Sequence, residues 1–148
     1  MKARNLASPQ HVVQADAPAT EATAVLARHD VRAVLVVRDG GAFRGVLSDS
    51  ELLRALLPRY VDEASILAHV LEESAADVLF DRLAGRTVAD LMPEDREVQP
   101  VVHGQDTLIE VASVMVRARA SAVGVLEDDR LIGGITIDDL LSHLLTRR

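Results

Sequence analysis

The sequence predicts an α/β (α+β) fold in which two β-α-β-β-α units follow one another around a helical insert. Three observations carry this. A shift of 88 residues lays the segment from Val12 to Leu57 onto Pro100 to Leu145 without a gap. Inside each stretch, short apolar runs alternate with apolar stripes at helical spacing. The 148 residues are 49% hydrophobic and 26% charged, enough to bury one core that offsets the entropy of ordering the chain.

The elements follow in order. Val12-Val13, and 98–102 in the second copy, are short enough to be strands. Stripes at helical spacing come next: Ala22, Val25 and Leu26 in copy one, Leu108, Val111, Ala112 and Met115 in copy two. The runs 33–37 and 42–47 flank Arg38-Asp39-Gly40-Gly41, and 121–126 and 130–135 flank Asp128-Asp129, which is turn chemistry at a hairpin tip. Each copy closes with a helix whose leucines recur at i, i+1, i+4 and i+5. The units are therefore placed at 1–57 and 87–148. The insert, 58–86, carries Ile66, Leu67, Val70, Leu71, Ala75, Val78, Leu79 and Leu83 at helical spacing, with Gly85 as a left-handed stop. Thr87-Val88-Ala89-Asp90 opens a capped helical turn that Met92-Pro93 ends, and Asn5-Leu6-Ala7-Ser8-Pro9 is its weaker counterpart.

Composition excludes several functions. Sixteen Lys and Arg against 23 Asp and Glu give a net charge of −7 without a basic tract, so a nucleic-acid groove or anionic membrane surface is not expected. The lack of cysteine removes disulfides, thiolate zinc sites and cysteine nucleophiles. There is neither a charged-then-apolar N-terminus nor an apolar run of about 18 residues, and a cytoplasmic protein without membrane insertion is the expectation. Phe43, Tyr60 and Phe80 are the only Phe, Tyr or Trp residues, so a bound ring must lie between aliphatic side chains. Nucleophile-elbow, Walker, dinucleotide and zinc-protease motifs are missing, and the chain is expected not to be an enzyme. His69 and Glu73 stand four apart, but Glu72, Asp77 and Asp81 beside them read as a solvated acidic face, so no metal is expected. The other histidines, His11, His29, His103 and His143, are scattered.

The informative motif recurs at the constant shift. Copy one reads Gly45-Val46-Leu47-Ser48-Asp49-Ser50-Glu51, and copy two reads Gly133-Gly134-Ile135-Thr136-Ile137-Asp138-Asp139. Ser-x-x-Glu and Thr-x-x-Asp before a leucine-rich helix are capping boxes that satisfy first-turn N–H groups. The same place also suits a ligand. A helix N-terminus beside a hydroxyl holds phosphate, and a nearby carboxylate takes ribose hydroxyls. Glu51 fits the reciprocal box better than the shorter Asp139, so the two copies are expected to differ.

Two such units, each carrying glycine, two apolar residues, Ser or Thr, two variable residues and a carboxylate, resemble a tandem pair of CBS (cystathionine-β-synthase-type) domains, a Bateman module. That resemblance implies two repeats related by a pseudo-two-fold axis and a regulatory role: an adenosyl ligand (AMP, ADP, ATP or S-adenosylmethionine) is bound and not transformed. It implies that Thr136 meets phosphate and Asp139 the ribose, with Gly133 allowing close approach. Ser48 and Glu51 match those places in copy one. Adenine would lie against Val98, Gln99, Pro100 and Val101, or against His11, Val12 and Val13. Arg32 and Arg119, just ahead of the middle strands, are implied as phosphate contacts in copies one and two, although either also reads as a solvated charge.

Two functions from different classes remain on this reading: an adenosyl-ligand sensor acting in trans on an unknown regulated protein, and a ligand-free interaction module whose motifs serve only as caps. Each unit has more apolar helical surface than one pair can cover. A homodimer packed through Leu52, Leu53, Leu56, Leu140, Leu141 and Leu144 is therefore expected.

Overall fold

The computed structural model describes residues 1–57 and 75–146. Its elements in chain order are α1 (Ala3–Leu6), β1 (Val12–Gln14), α2 (Ala19–Arg28), β2 (Ala33–Val37), β3 (Phe43–Ser48), α3 (Asp49–Leu56), α4 (Ala75–Leu83), α5 (Val88–Leu91), β4 (Val101–His103), α6 (Leu108–Ala118), β5 (Ala122–Glu127), β6 (Arg130–Thr136) and α7 (Ile137–Thr146). The strands form two three-stranded sheets, β1-β2-β3 and β4-β5-β6. In each, the first strand runs parallel to the second across a helical crossover, and the second and third form an antiparallel hairpin. This is the mixed fold the sequence predicts.

The register corrects one expectation. Val13 pairs with Val36 and Val102 with Val125, so through the middle strands the copies are 89 residues apart, not 88. Beyond the hairpin, Gly45 opposite Val36 and Gly133 opposite Val125 restore 88. The one-residue gap lies at the hairpin tips. Copy one turns through the 3-10 segment Asp39–Gly41, with Gly40 and Gly41 at positive φ. Copy two turns through Asp128 and Asp129 alone, both left-handed, which is the two-residue tip of a tight hairpin.

The helix boundaries follow local chemistry. Gly85, at φ 77, stands just past the end of α4. Thr87 caps α5 reciprocally with Asp90, whose carboxyl is held below its ordinary value by the Thr87 backbone N–H and then by the Thr87 side chain. The sequence-predicted insert helix is described only from Ala75 onward; Ile66, Leu67, Val70, Leu71 and the His69/Glu73 pair lie outside the described residues.

The two opening helices cross over. The Ala3 N–H donates to Asp106 O at 2.8 Å and that of Arg4 to Gly104 O at 3.0 Å, and Ala3 is buried with Val102, Val111, Val125 and Ile135 of copy two. Reciprocally, the Val88 N–H donates to Ala17 O at 2.9 Å, and Val88, Leu91 and Met92 complete the copy-one core around Val13, Val36 and Leu47. A third cluster, Leu35, Val46 and Ala122 with Phe43 and Leu131 beside them, joins the sheets. The crossing places Ser8 in a two-way bridge with Gly134, with N···O distances of 3.0 and 2.9 Å.

Gly133 sits under this bridge at φ 156, and a Cβ there would stand 2.8 Å from Ser8 O. Gly133→Ala is expected to cost about 1–3 kcal/mol, lowering the thermal midpoint by roughly 3–10 °C. An unchanged midpoint in a thermal melt would show that the Ser8–Gly134 bridge is not held as described.

Candidate functional site

Each motif lies where the last strand of a copy runs into its last helix. In copy one the Ser48 N–H donates to Glu51 Oε1 at 3.0 Å and the Glu51 N–H to Ser48 Oγ at 3.1 Å. In copy two the Thr136 N–H donates to Asp139 Oδ2 at 2.8 Å and the Asp139 N–H to Thr136 Oγ1 at 3.0 Å. The expectation that Asp139 is a poor partner for the reciprocal cap is corrected. Its side chain closes the box as well as Glu51 does.

The copies differ at the second carboxylate oxygen. Glu51 Oε2 pairs with Arg96 Nη2, while Arg96 Nη1 donates to Ala118 O at 2.6 Å and Nη2 to Val46 O at 3.3 Å. The pair is enclosed, with 6% of the Arg96 side chain and 14% of that of Glu51 exposed. Both Glu51 oxygens are therefore engaged inside the protein. Asp139 Oδ1 has no partner among the described residues.

A cleft opens at each motif. That at Thr136, about 800 Å³, lies between the copies and is lined by Gln10, Asp30, Arg32 and Asp49 of copy one and by Ser121, Thr136 and Asp138 of copy two. Leu26, Val31, Ala33 and Ala122 give it aliphatic walls. That at Glu51, about 410 Å³, is lined by Arg54, Asp95, Arg96, Glu97, Arg117 and Arg119.

The crossing decides which leading segment lies beside which motif. Arg96, ahead of β4, reaches Glu51 of the first motif. Ser8 and Gln10, ahead of β1, reach copy two, with Gln10 Nε2 at 3.0 Å from Ser8 Oγ and 3.5 Å from Gly134 O. Pro100 is buried and accepts the Gly124 N–H, Val101 pairs with Gly124, Val98 is half-buried and Gln99 exposed. Val13 is a core residue and not the wall of a slot, Val12 is exposed, and the His11 ring stacks on His29 with centroids 4.3 Å apart. The arginines exchange as well: Arg119 lines the Glu51 cleft and Arg32 the Thr136 cleft. Arg119 is the counterpart of Asp30, both leaving their helices in the left-handed conformation, and Arg32 is the counterpart of Ser121. Sequence reasoning missed Ser8, Gln10 and Arg96 because nothing periodic marks them; only the likeness of Asn5-Leu6 to the turn at Thr87 hinted at paired leading segments.

The leucine stripe divides. Leu52, Leu56 and Leu140 are buried in the chain's own cores, which corrects their assignment to an interface. Leu53, Leu141 and Leu144 remain exposed, the last two at 53% and 63% beside Ile109 at 82%. In copy two this face forms an apolar groove of about 670 Å³ between α6 and α7.

The family model described as "CBS domain" matches this sequence twice, over 3–58 and 88–146. The chain belongs to the CBS-domain family. A CBS domain-containing protein of unknown function from Kribbella flavida is 38% identical, covering 99% of each chain with a TM-score of 0.80. CBSX2, a CBS-pair protein of Arabidopsis thaliana solved in complex with AMP, is 22% identical, covering 97% of this chain and 96% of its own with a TM-score of 0.68. The CBS domain pair of MJ0100, in complex with 5′-methylthioadenosine and S-adenosyl-L-methionine, is 16% identical, covering 100% and 98% with a TM-score of 0.67. No curated protein matches the sequence. No helix among the described residues is long and apolar enough to cross a membrane.

Between the two CBS repeats, the Arg96–Glu51 pair is the one enclosed ion pair among the described residues. Arg96→Ala strands a carboxylate with little access to water and is expected to cost about 3–5 kcal/mol. Denaturant unfolding checks it, the midpoint falling at unchanged slope; a loss below about 1 kcal/mol, the range of surface pairs, would contradict the enclosure.

Proposed function

We propose that the chain is a regulatory CBS pair that senses an adenosyl ligand at the Thr136 cleft and acts in trans on a partner protein, without transforming what it binds. The observation that carries this is the junction of β6 and α7. There the first turn of a ten-residue helix brings Thr136, Ile137 and Asp138 to a cleft walled by both repeats, with Asp139 the next residue along the helix. Such a site takes the 5′ end of a nucleoside at the helix N-terminus and the ribose hydroxyls at Asp139, and its aliphatic walls suit a purine. AMP, ADP, ATP and S-adenosylmethionine are the ligand class. The complexes of CBSX2 with AMP and of MJ0100 with adenosyl thioether and sulfonium ligands support it at the level of the shared fold.

The output is conformational. A ligand touching Gln10 and Arg32 of one repeat and Thr136 of the other favours whichever arrangement of the repeats it binds more tightly, and by no more than that difference in affinity. The exposed apolar face of α6 and α7 supports a homodimer in the cytoplasm, with Leu141 and Leu144 in the contact. Leu144→Asp is expected to give monomers in light scattering, and an unchanged dimer would exclude this face. The second reading, a ligand-free interaction module, is favoured by the capping boxes, which are closed in both repeats.

Thermal unfolding with AMP, ADP, ATP and S-adenosylmethionine separates the two. A ligand at about 100 times its Kd adds roughly 2.7 kcal/mol, which for a chain near this size raises the midpoint by about 5–10 °C. Asp139→Ala lowers the starting midpoint through the lost cap and is expected to abolish the ligand-induced rise. No rise with any of the four would favour the interaction module.

A further inference from the structure

Glu51 lies in the wall of a cleft of about 410 Å³, and the same wall carries the side chain that takes its second oxygen. Arg96 arrives there from the connection 92–100 between α5 and β4, which is longer than its counterpart 7–11 between α1 and β1. The shorter connection lies on copy two with its backbone. Ser8 exchanges two hydrogen bonds with Gly134, where neither Gly133 nor Gly134 has a Cβ to hold it off. In copy one Val46 stands in the place of Gly134, and among the described residues no backbone bond joins 92–100 to it. An arginine side chain spans that gap instead. Its guanidinium donates to Val46 O and to the Glu51 carboxylate of the first repeat, and to Ala118 O of the second.

Taking a guanidinium out of water costs several kcal/mol, and an apolar filling of the same volume often holds a fold together as well. Stability alone therefore does not account for this side chain. What it occupies is a set of acceptors, a carboxylate and a main-chain carbonyl beside the motif's helix cap, which a ligand carrying hydroxyl or amine donors needs at this cleft. We propose that Arg96 is an internal occupant of the first motif. It fills the place where a ligand's donors meet Glu51, so the chain takes one adenosyl ligand, at the Thr136 cleft, and none at Glu51. This rests on the adenosyl-ligand function proposed above and goes beyond it in saying which of the two motifs is closed, and by what. Arg96 is thus a specificity-determining residue that acts by exclusion. Arg54, Arg117 and Arg119 still line the cleft, but an anion drawn to them finds no free acceptor for its sugar.

Isothermal titration calorimetry of the full chain with AMP and S-adenosylmethionine counts the sites. One ligand per chain is expected in the wild type and two in Arg96→Ala/Glu51→Asp, whose shorter carboxylate closes its cap as Asp139 does without an ion pair. The added AMP site is expected to disappear with Arg119→Glu, since Arg119 lines the Glu51 cleft and not the Thr136 cleft. Arg96→Lys, which keeps a cation beside Glu51, is expected to bind one. A thermal melt of Arg96→Ala with ethylguanidinium reads the same place without a nucleotide. The cation is expected to restore the midpoint, or the fold itself where the variant is unfolded, at a concentration that leaves the wild type unchanged. Two ligands in the wild type, no added site in the double variant, or no restoration by ethylguanidinium overturns this proposal alone. Binding by the double variant and not by the wild type upholds the internal occupant and removes the function proposed for the Thr136 cleft. Failure of both chains to bind either ligand overturns the adenosyl-ligand function itself.

Discussion

Ala3 is buried among Val102, Val125 and Ile135, and Val88 among Val13, Val36 and Leu47, so neither repeat has a complete core without a helix that belongs to the other in sequence. Helices of four residues have no stability of their own in water and exist here because tertiary packing holds them. The exchange therefore ties the two sheets into one cooperative unit. It also fixes what lies beside each motif. The residues that follow an exchanged helix must return to their own sheet, and on the way Ser8 and Gln10 pass the copy-two motif while Arg96 passes the copy-one motif.

Chemistry at the two motifs diverges from that point. Both close the same reciprocal cap, so the carboxylate's first oxygen answers to helix formation in each repeat. The second oxygen is the variable. In copy one the longer Glu51 reaches Arg96 and gives up its remaining acceptor to an internal ion pair, leaving a cleft whose free groups are mainly guanidinium. In copy two the shorter Asp139 makes no ion pair among the described residues, and the cleft beside its cap is lined by aliphatic side chains with Asp30, Asp49 and Asp138. One methylene and one linker arginine thus separate the two junctions.

Much of the fold is legible in the sequence, and the places where it is not have a physical reason. Strand runs, glycine and aspartate turns, the Thr87 cap and the Gly85 stop are local signals, and the structure follows them. The one-residue gap between the copies is hidden because adjacent valines stand at the strands that define the frame, Val12-Val13, Val36-Val37 and Val101-Val102, so a slip of one leaves apolar matched to apolar. Ordinarily a slip would turn the strand over. Here β2 is buried on successive residues and has no polar alternation to expose the error. The motif residues Thr136 and Asp139 are legible as caps from their spacing, but their neighbours across the cleft are not, because which repeat a leading helix packs on depends on long-range packing and leaves no periodicity. The same limit explains the leucine stripe: helical spacing groups Leu52 with Leu53 and Leu140 with Leu141, and only packing shows that one of each pair faces the chain's own core.

Comparing the copies at matched positions separates what the fold needs from what it permits. Core pairs keep their character: Val34 with Val123, Val36 with Val125, Leu47 with Ile135, Leu52 with Leu140. Positions on the outer helical face and the clefts do not. Thr20, Ala27 and Asp49 stand where copy two has Ile109, Val116 and Ile137, and Asp30 stands where copy two has Arg119. Packing density leaves a core little freedom, since each change of volume is felt by its neighbours. A solvated face has no such restraint, and an apolar group there gains nothing unless something covers it. Three apolar residues gathered on the copy-two face, and their polar counterparts on copy one, therefore make the pair directional. The apolar groove belongs to one repeat, while the Thr136 cleft is lined by both. Under the proposed function, a ligand at that cleft would touch both repeats and so bear on the angle at which the apolar face is presented.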